Sequence, residues 1–178
     1  MNQVLNKPNS IAADTCRWKP SDDGVFKINT EGANDYKNRL IGFGVILRDK
    51  AGHIKAAVVH NLKAMLSPLV AEALAIKRGI LLALESGLVP FQVETNSLQL
   101  VNLINKRVAS SADVGPIICE ILAAVESLPN WSICHVSRKG NLDTHNLAKM
   151  AFSVESECCW LDDFTPCVER CIRFDFFV

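Results

Sequence analysis

The chain has 178 residues, 49% hydrophobic and 21% charged, which suits one globular domain with a core of its own. Its 19 basic and 19 acidic side chains cancel, so overall charge does not supply the cationic surface on which strong nucleic-acid binding leans. No apolar run reaches the ~20 residues of a membrane helix, and the first residues, MNQVLNKPNSIAADT, lack a basic start followed by an apolar block. No membrane association is expected, and a nuclear or cytoplasmic rather than secreted protein is.

In chain order, residues 1–17 read as a disordered tail. Residues 24–30 (GVFKINT) alternate apolar and polar as a strand does. A second strand covers 40–49, with glycines at alternate places where something can approach closely, and a third covers 53–61 after the turn Asp49-Lys50-Ala51-Gly52. Three strands with short links make an antiparallel meander. Ser67 as N-cap and Pro68 at the first helical position open a long helix, and Gly87 suits its C-terminal side. Residues 91–95 are a fourth strand, SLQLVNLINKR a short helix, 114–128 another helix, 131–138 a fifth strand and 143–156 a last helix.

The order β-β-β-α-β-α-α-β-α predicts an α/β fold, with a five-stranded mixed sheet and helices on both faces. The domain is expected over 18–157. Residues 158–178, with Trp160, Phe164 and the FDFFV end, are too apolar to hang loose and are expected to pack on the domain or on a protein partner. The seven cysteines are odd in number and scattered, which reads as reduced thiols. Cys158, Cys159, Cys167 and Cys171 follow no zinc spacing and read as structural.

Four polar groups break the apolar pattern. Glu31 stands at the end of the first strand, followed at once by Gly32. Glu72 lies in the stripe of Leu69, Ile76, Ile80 and Ala83 on the long helix, where a carboxylate reads as a core ion pair, a helix-edge group or a metal ligand. Asn96 follows the fourth strand, two residues after Glu94, and on its own reads as a helix N-cap. His145 lies near the start of the last helix, and a lone histidine there reads as solvent-facing or capping. Taken together, they could converge on one point at the edge of the sheet.

The segments WKPSDDGVFKINTEGA, GFGVILRDKAG, AEALAIKRGILLALESG, VETNSLQLV and RKGNLDTHNLAKMA resemble the type 1 ribonuclease H family. The resemblance is nearer still to the plant ribonuclease H-like domains associated with retrotransposon reverse transcriptases, and it runs over about residues 18–175 in unbroken order. It implies the ribonuclease H-like fold. It also implies a nucleic-acid-binding hydrolase that cuts the RNA strand of RNA–DNA hybrids through two Mg²⁺ ions about 4 Å apart, with Mn²⁺ as the substitute ion. The implied catalytic positions are Glu31, Glu72, Asn96 and His145, the first three as metal ligands. Implied hybrid contacts fall on Gly32, Ser97, Arg138, Lys139 and Asn141.

The chain departs from the family pattern of four acids. Only Glu72 matches it, while His145 is a common variant among the plant relatives. Glu31 keeps the charge but extends the carboxylate by about 1 Å, where catalytic sites tolerate about 0.5 Å. Asn96 offers a neutral carbonyl where Mg²⁺ favours a carboxylate. Glu94 lies ~6.7 Å back along its strand, too far to substitute, whereas Asp143 is close enough to lean in. The loops at 106–116 and 138–141 are short, leaving Arg138, Lys139, Lys106 and Arg107 as phosphate contacts or as a solvated face. Two functions follow: a hybrid ribonuclease with a worn metal site, or a non-catalytic domesticated module that binds nucleic acid weakly or binds protein through its tail.

Overall fold

The computed structural model describes residues 18–109 and 112–172. The disordered tail expected for 1–17 and the terminal FDFFV lie outside the described residues, as do residues 110 and 111 of the loop at 106–116.

The three leading strands are β1 (Phe26–Asp35), β2 (Leu40–Arg48) and β3 (Ile54–Lys63), paired as the expected antiparallel meander. β4 (Phe91–Thr95) runs parallel to β1, and β5 (Ser132–His135) runs parallel to β4. The mixed sheet holds six strands rather than five, in the order β5-β4-β1-β2-β3-β6. The sixth, β6 (Cys158–Leu161), is antiparallel to β3 and comes from a segment to which the sequence assigns no regular structure. Four residues of Cys, Trp and Leu carry little strand signal. What fixes them is Trp160 and Cys158 packing into an apolar cluster with Ile46, Val59 and Leu147.

The alternation along β1 sorts the two faces of the sheet. Phe26 and Ile28 join the main core, while Lys27, Asn29 and Glu31 take the other side. On the first face lie α1 (Pro68–Glu85), α2 (Leu98–Asn105) and α3 (Gly115–Ala124), which bury Ile76, Ile80, Leu100, Ile104, Ile118 and Ile121 against Ile28, Val45 and Phe91. Ser67 caps α1 as expected, accepting the Val70 N–H at 3.3 Å. On the second face lie α4 (Leu142–Met150) and α5 (Pro166–Ile172). The helix expected over 143–156 therefore stops at Met150, where a 3₁₀ turn, Ala151–Ser153, leads to extended Val154. Among the described residues no helix is long and apolar enough to cross a membrane.

Glycines set how closely α4 can sit. A Cβ on Gly44 would lie 2.7 Å from the Ala148 nitrogen, and one on Gly42 would lie 2.5 Å from the Ala148 oxygen. Both obstacles are helix backbone, which cannot swing aside. We expect Gly44→Ala to cost about 2–3 kcal/mol, lowering the melting temperature by about 5–10 °C. A thermal melt unchanged by this substitution would show that α4 does not rest on β2.

Candidate functional site

The ladder between β1 and β4 ends at the pair Thr30 and Thr95. One step further, the two chains part. Glu31 is not at the end of β1 as the sequence suggested: β1 continues to Asp35 along β2, and Glu31 stands opposite Gly44. Only its parallel pairing has ended. Asn96 leaves β4 into the turn before α2. It is not the N-cap, a role taken by Ser97, whose Oγ accepts the Leu100 N–H at 3.4 Å. Asn96 is half-buried and beside that helix start.

Gly32 brings in the second carboxylate. A Cβ there would fall 2.5 Å from the Ala71 carbonyl carbon and 2.6 Å from the Glu72 nitrogen, so only glycine lets α1 lie on β1. That contact places Glu72 beside the strand, where its Oε2 accepts the Gly32 N–H at 3.0 Å. Among the described residues Glu72 has no salt bridge, which removes the ion-pair reading. Burial pushes the Glu72 carboxyl up to about 8; the neighbouring Glu31 charge adds to the rise, while the Gly32 N–H and the charge of Arg138 oppose it.

Glu31 is buried, at 2% exposure, and both its oxygens are engaged from the second face of the sheet. Asn141 Nδ2 donates to Oε2 at 3.2 Å, and His145 Nδ1 lies 3.2 Å from Oε1. Asn141 also donates to the Thr30 carbonyl at 2.8 Å, and Thr144 Oγ1 donates to the Asn141 carbonyl at 2.9 Å. A 3₁₀ turn, Arg138–Asn141, feeds directly into α4, so Asn141 and His145 stand on successive turns and close over Glu31 together. His145 is half-buried within α4 rather than solvent-facing.

The structure thus brings Glu31, Glu72, Gly32, Asn141 and His145 together, with Asn96 one step past the shared ladder. Arg138 and Lys139 are exposed on the 3₁₀ turn, and Lys106 and Arg107 are exposed at the end of α2. Asp143, expected to lean toward the site, is committed to a cation instead. It is 2% exposed and pairs with Arg48 Nη2 at 2.5 Å, because a buried carboxylate takes the nearest cation. Glu94 is likewise committed, to Lys27 Nζ at 2.7 Å and Asn29 Nδ2 at 2.8 Å. Sequence reasoning missed Lys27, Asn29 and Arg48; the signal was Lys27, Asn29 and Glu31 at every second place on one strand.

A pair of Mg²⁺ ions needs several free carboxylate oxygens around one point. Among the described residues no group of three His, Cys, Asp or Glu side chains is placed to hold a metal ion. The residues present do not fit a two-ion centre.

Residues 29–151 match the family described as reverse transcriptase-like. The chain belongs to that family. Among solved structures, this reverse transcriptase-like chain is similar to RNase H1 of the archaeon Halobacterium salinarum, with TM-score 0.65 and 18% identity, over 72% of this chain and 97% of that one. It is similar to LC11-RNase H1, isolated from compost and solved in complex with an RNA/DNA hybrid, with TM-score 0.64 and 22% identity, over 72% and 96%. It is also similar to a foamy viral protease-reverse transcriptase in complex with dsDNA, with TM-score 0.55 and 14% identity, over 73% and 94%. The reverse transcriptase-like chain therefore has the ribonuclease H fold. No curated protein sequence matches it.

Proposed function

We propose that this chain is a ribonuclease H-like domain that binds RNA–DNA hybrid or related nucleic acid weakly, and that its catalytic centre is closed by its own hydrogen bonds. The observation that carries the reading is the state of Glu31. Both oxygens that a metal ion would need are bonded to Asn141 and His145. Glu72 has a pKa near 8, so at neutral pH a metal ion must also displace its proton. Asn96 adds no charge. Two carboxylates and an amide then give Mg²⁺ little to offset the loss of its hydration shell. The binding surface is supported by exposed Arg138 and Lys139 beside the site, and by the hybrid and duplex DNA bound by two structural relatives.

The test is cleavage and gel-shift of one labelled RNA–DNA hybrid, with Mg²⁺ and with Mn²⁺. We expect a salt-sensitive shift and little cleavage, with binding weakened further by Arg138→Ala and Lys139→Ala together. Robust cleavage by the unaltered chain, abolished by Glu72→Gln, would establish the second reading, a working hybrid ribonuclease.

A further inference from the structure

The sheet face that carries Glu31 also buries a line of charge that the proposed function does not use. Lys27 pairs with Glu94, and Asn29 donates to the other Glu94 oxygen at 2.8 Å. Arg48 Nη1 donates to Asn29 Oδ1 at 3.0 Å, while its Nη2 meets Asp143 at 2.5 Å. None of these five side chains belongs to a residue more than 8% exposed. Two cations and two anions balance. Trp18 covers the line, its ring 5.3 Å from Lys27 Nζ and 5.7 Å from Arg48 Cζ.

Charges buried this way stabilise a fold no better than apolar side chains of the same volume, and what they can add is a single defined arrangement. The arrangement at stake here is the start of α4. That helix has no side-chain N-cap. Its second residue, Asp143, stands two places after Asn141 and two before His145. The β2–β3 ladder shifts register at Leu47/Arg48, an irregularity of the kind that re-aims a side chain.

We propose that Arg48 is the positioning residue of the site. Held by Asn29 and covered by Trp18, it fixes Asp143 and with it the first turn of α4, so that Asn141 and His145 land on the Glu31 carboxylate. Arg48 acts through α4, by way of its bonds to Asn29 and Asp143. The inference rests on the proposed function only in taking Glu31 as the centre of the site.

The test is NMR on the full chain, following the Asn141 side-chain amide and the His145 ring at one fixed pH, with core amides such as that of Val93 as the reference for folding. In Arg48→Met we expect the Asn141 amide to exchange at least about tenfold faster and the His145 ring signals to move, while Val93 stays protected. Arg48→Lys restores charge but not the two-pronged reach, and falls between. Trp18→Ala reproduces a smaller part of the effect, and Trp18→Phe, which keeps a ring over the cations, restores it. If Arg48→Met fails to fold, Arg48→Lys and the Trp18 pair decide the matter alone. Unmoved Asn141 and His145 signals in the folded variants, or changes that spread equally to Val93, would overturn the proposal. Cleavage is not a readout, so an active wild-type chain would sink the closed-site reading and leave this result standing.

Discussion

Glu31→Asp combined with Asn96→Asp should raise cleavage of an RNA–DNA hybrid in Mg²⁺ by about 100-fold over the parent chain, the scale set by restoring well-placed charge in a partly desolvated site. The two changes act on different obstacles. Shortening the side chain at 31 by one methylene withdraws its carboxylate by about 1 Å, taking oxygens that now lie 3.2 Å from Asn141 and His145 out of hydrogen-bonding range. Those oxygens then become available to an ion. The aspartate at 96 adds a negative charge beside the ladder's end, where the parent has a neutral amide. The fold should tolerate both. Position 31 remains a polar group on a polar face, and Asn96 is not the cap of α2, so its replacement leaves the Ser97 cap intact and puts an acid near a helix N-terminus, where it is favoured by about 0.3–1 kcal/mol. Each single variant should gain much less than the pair, because one leaves the charge deficit and the other leaves Glu31 closed. Two inert single variants and an inert double variant, all shown to be folded, would mean that the obstacle lies elsewhere, in the short loops that hold the hybrid.

The strand and helix order was legible because each element announces itself locally: period-two alternation at 24–30, Ser67-Pro68 before a run of helix formers, and glycines at 42 and 44 that signal close approach. Glu72 was legible for the opposite reason, as a carboxylate inside an apolar stripe. What stayed hidden depends on contacts between distant segments. β6 depends on the edge that β3 offers and on the apolar cluster that Trp160 joins. Asp143 looks available to the site until Arg48, 95 residues earlier, is placed beside it. The closure over Glu31 needs Asn141 and His145 at the start of α4, and no local pattern states that those turns face β1. Local chemistry also misplaced the cap of α2, which it gave to Asn96. Asn and Ser are both good caps, and the register chose Ser97.

Glu72→Gln should make the protein more stable, and increasingly so as pH rises. The Glu72 carboxyl sits at about 8 in the folded chain, against the 4.5 of an unperturbed glutamate. Between those values the folded state holds a proton that the unfolded state has released, so stability falls as pH rises across that window. At about 1.4 kcal/mol per unit the loss approaches 5 kcal/mol by pH 8 and then levels off. Glutamine is neutral throughout and can still accept the Gly32 N–H, so it escapes the loss. We therefore expect parent and variant to melt together near pH 4.5, and the variant to melt about 6–15 °C higher at pH 8.5, corresponding to about 3–5 kcal/mol. Glu31→Gln removes the like charge and should narrow the gap, whereas the 3.0 Å bond from Gly32 is untouched by it. The same melts test the closed centre. A divalent ion held between Glu31 and Glu72 would favour both ionised carboxylates, so Mg²⁺ at about 10 mM would erase much of the pH-dependent loss in the parent and do nothing for the glutamine variant. A closed centre leaves the parent's melting curve at pH 8.5 within about 1 °C with and without the ion, since added ligand stabilises only the state that binds it.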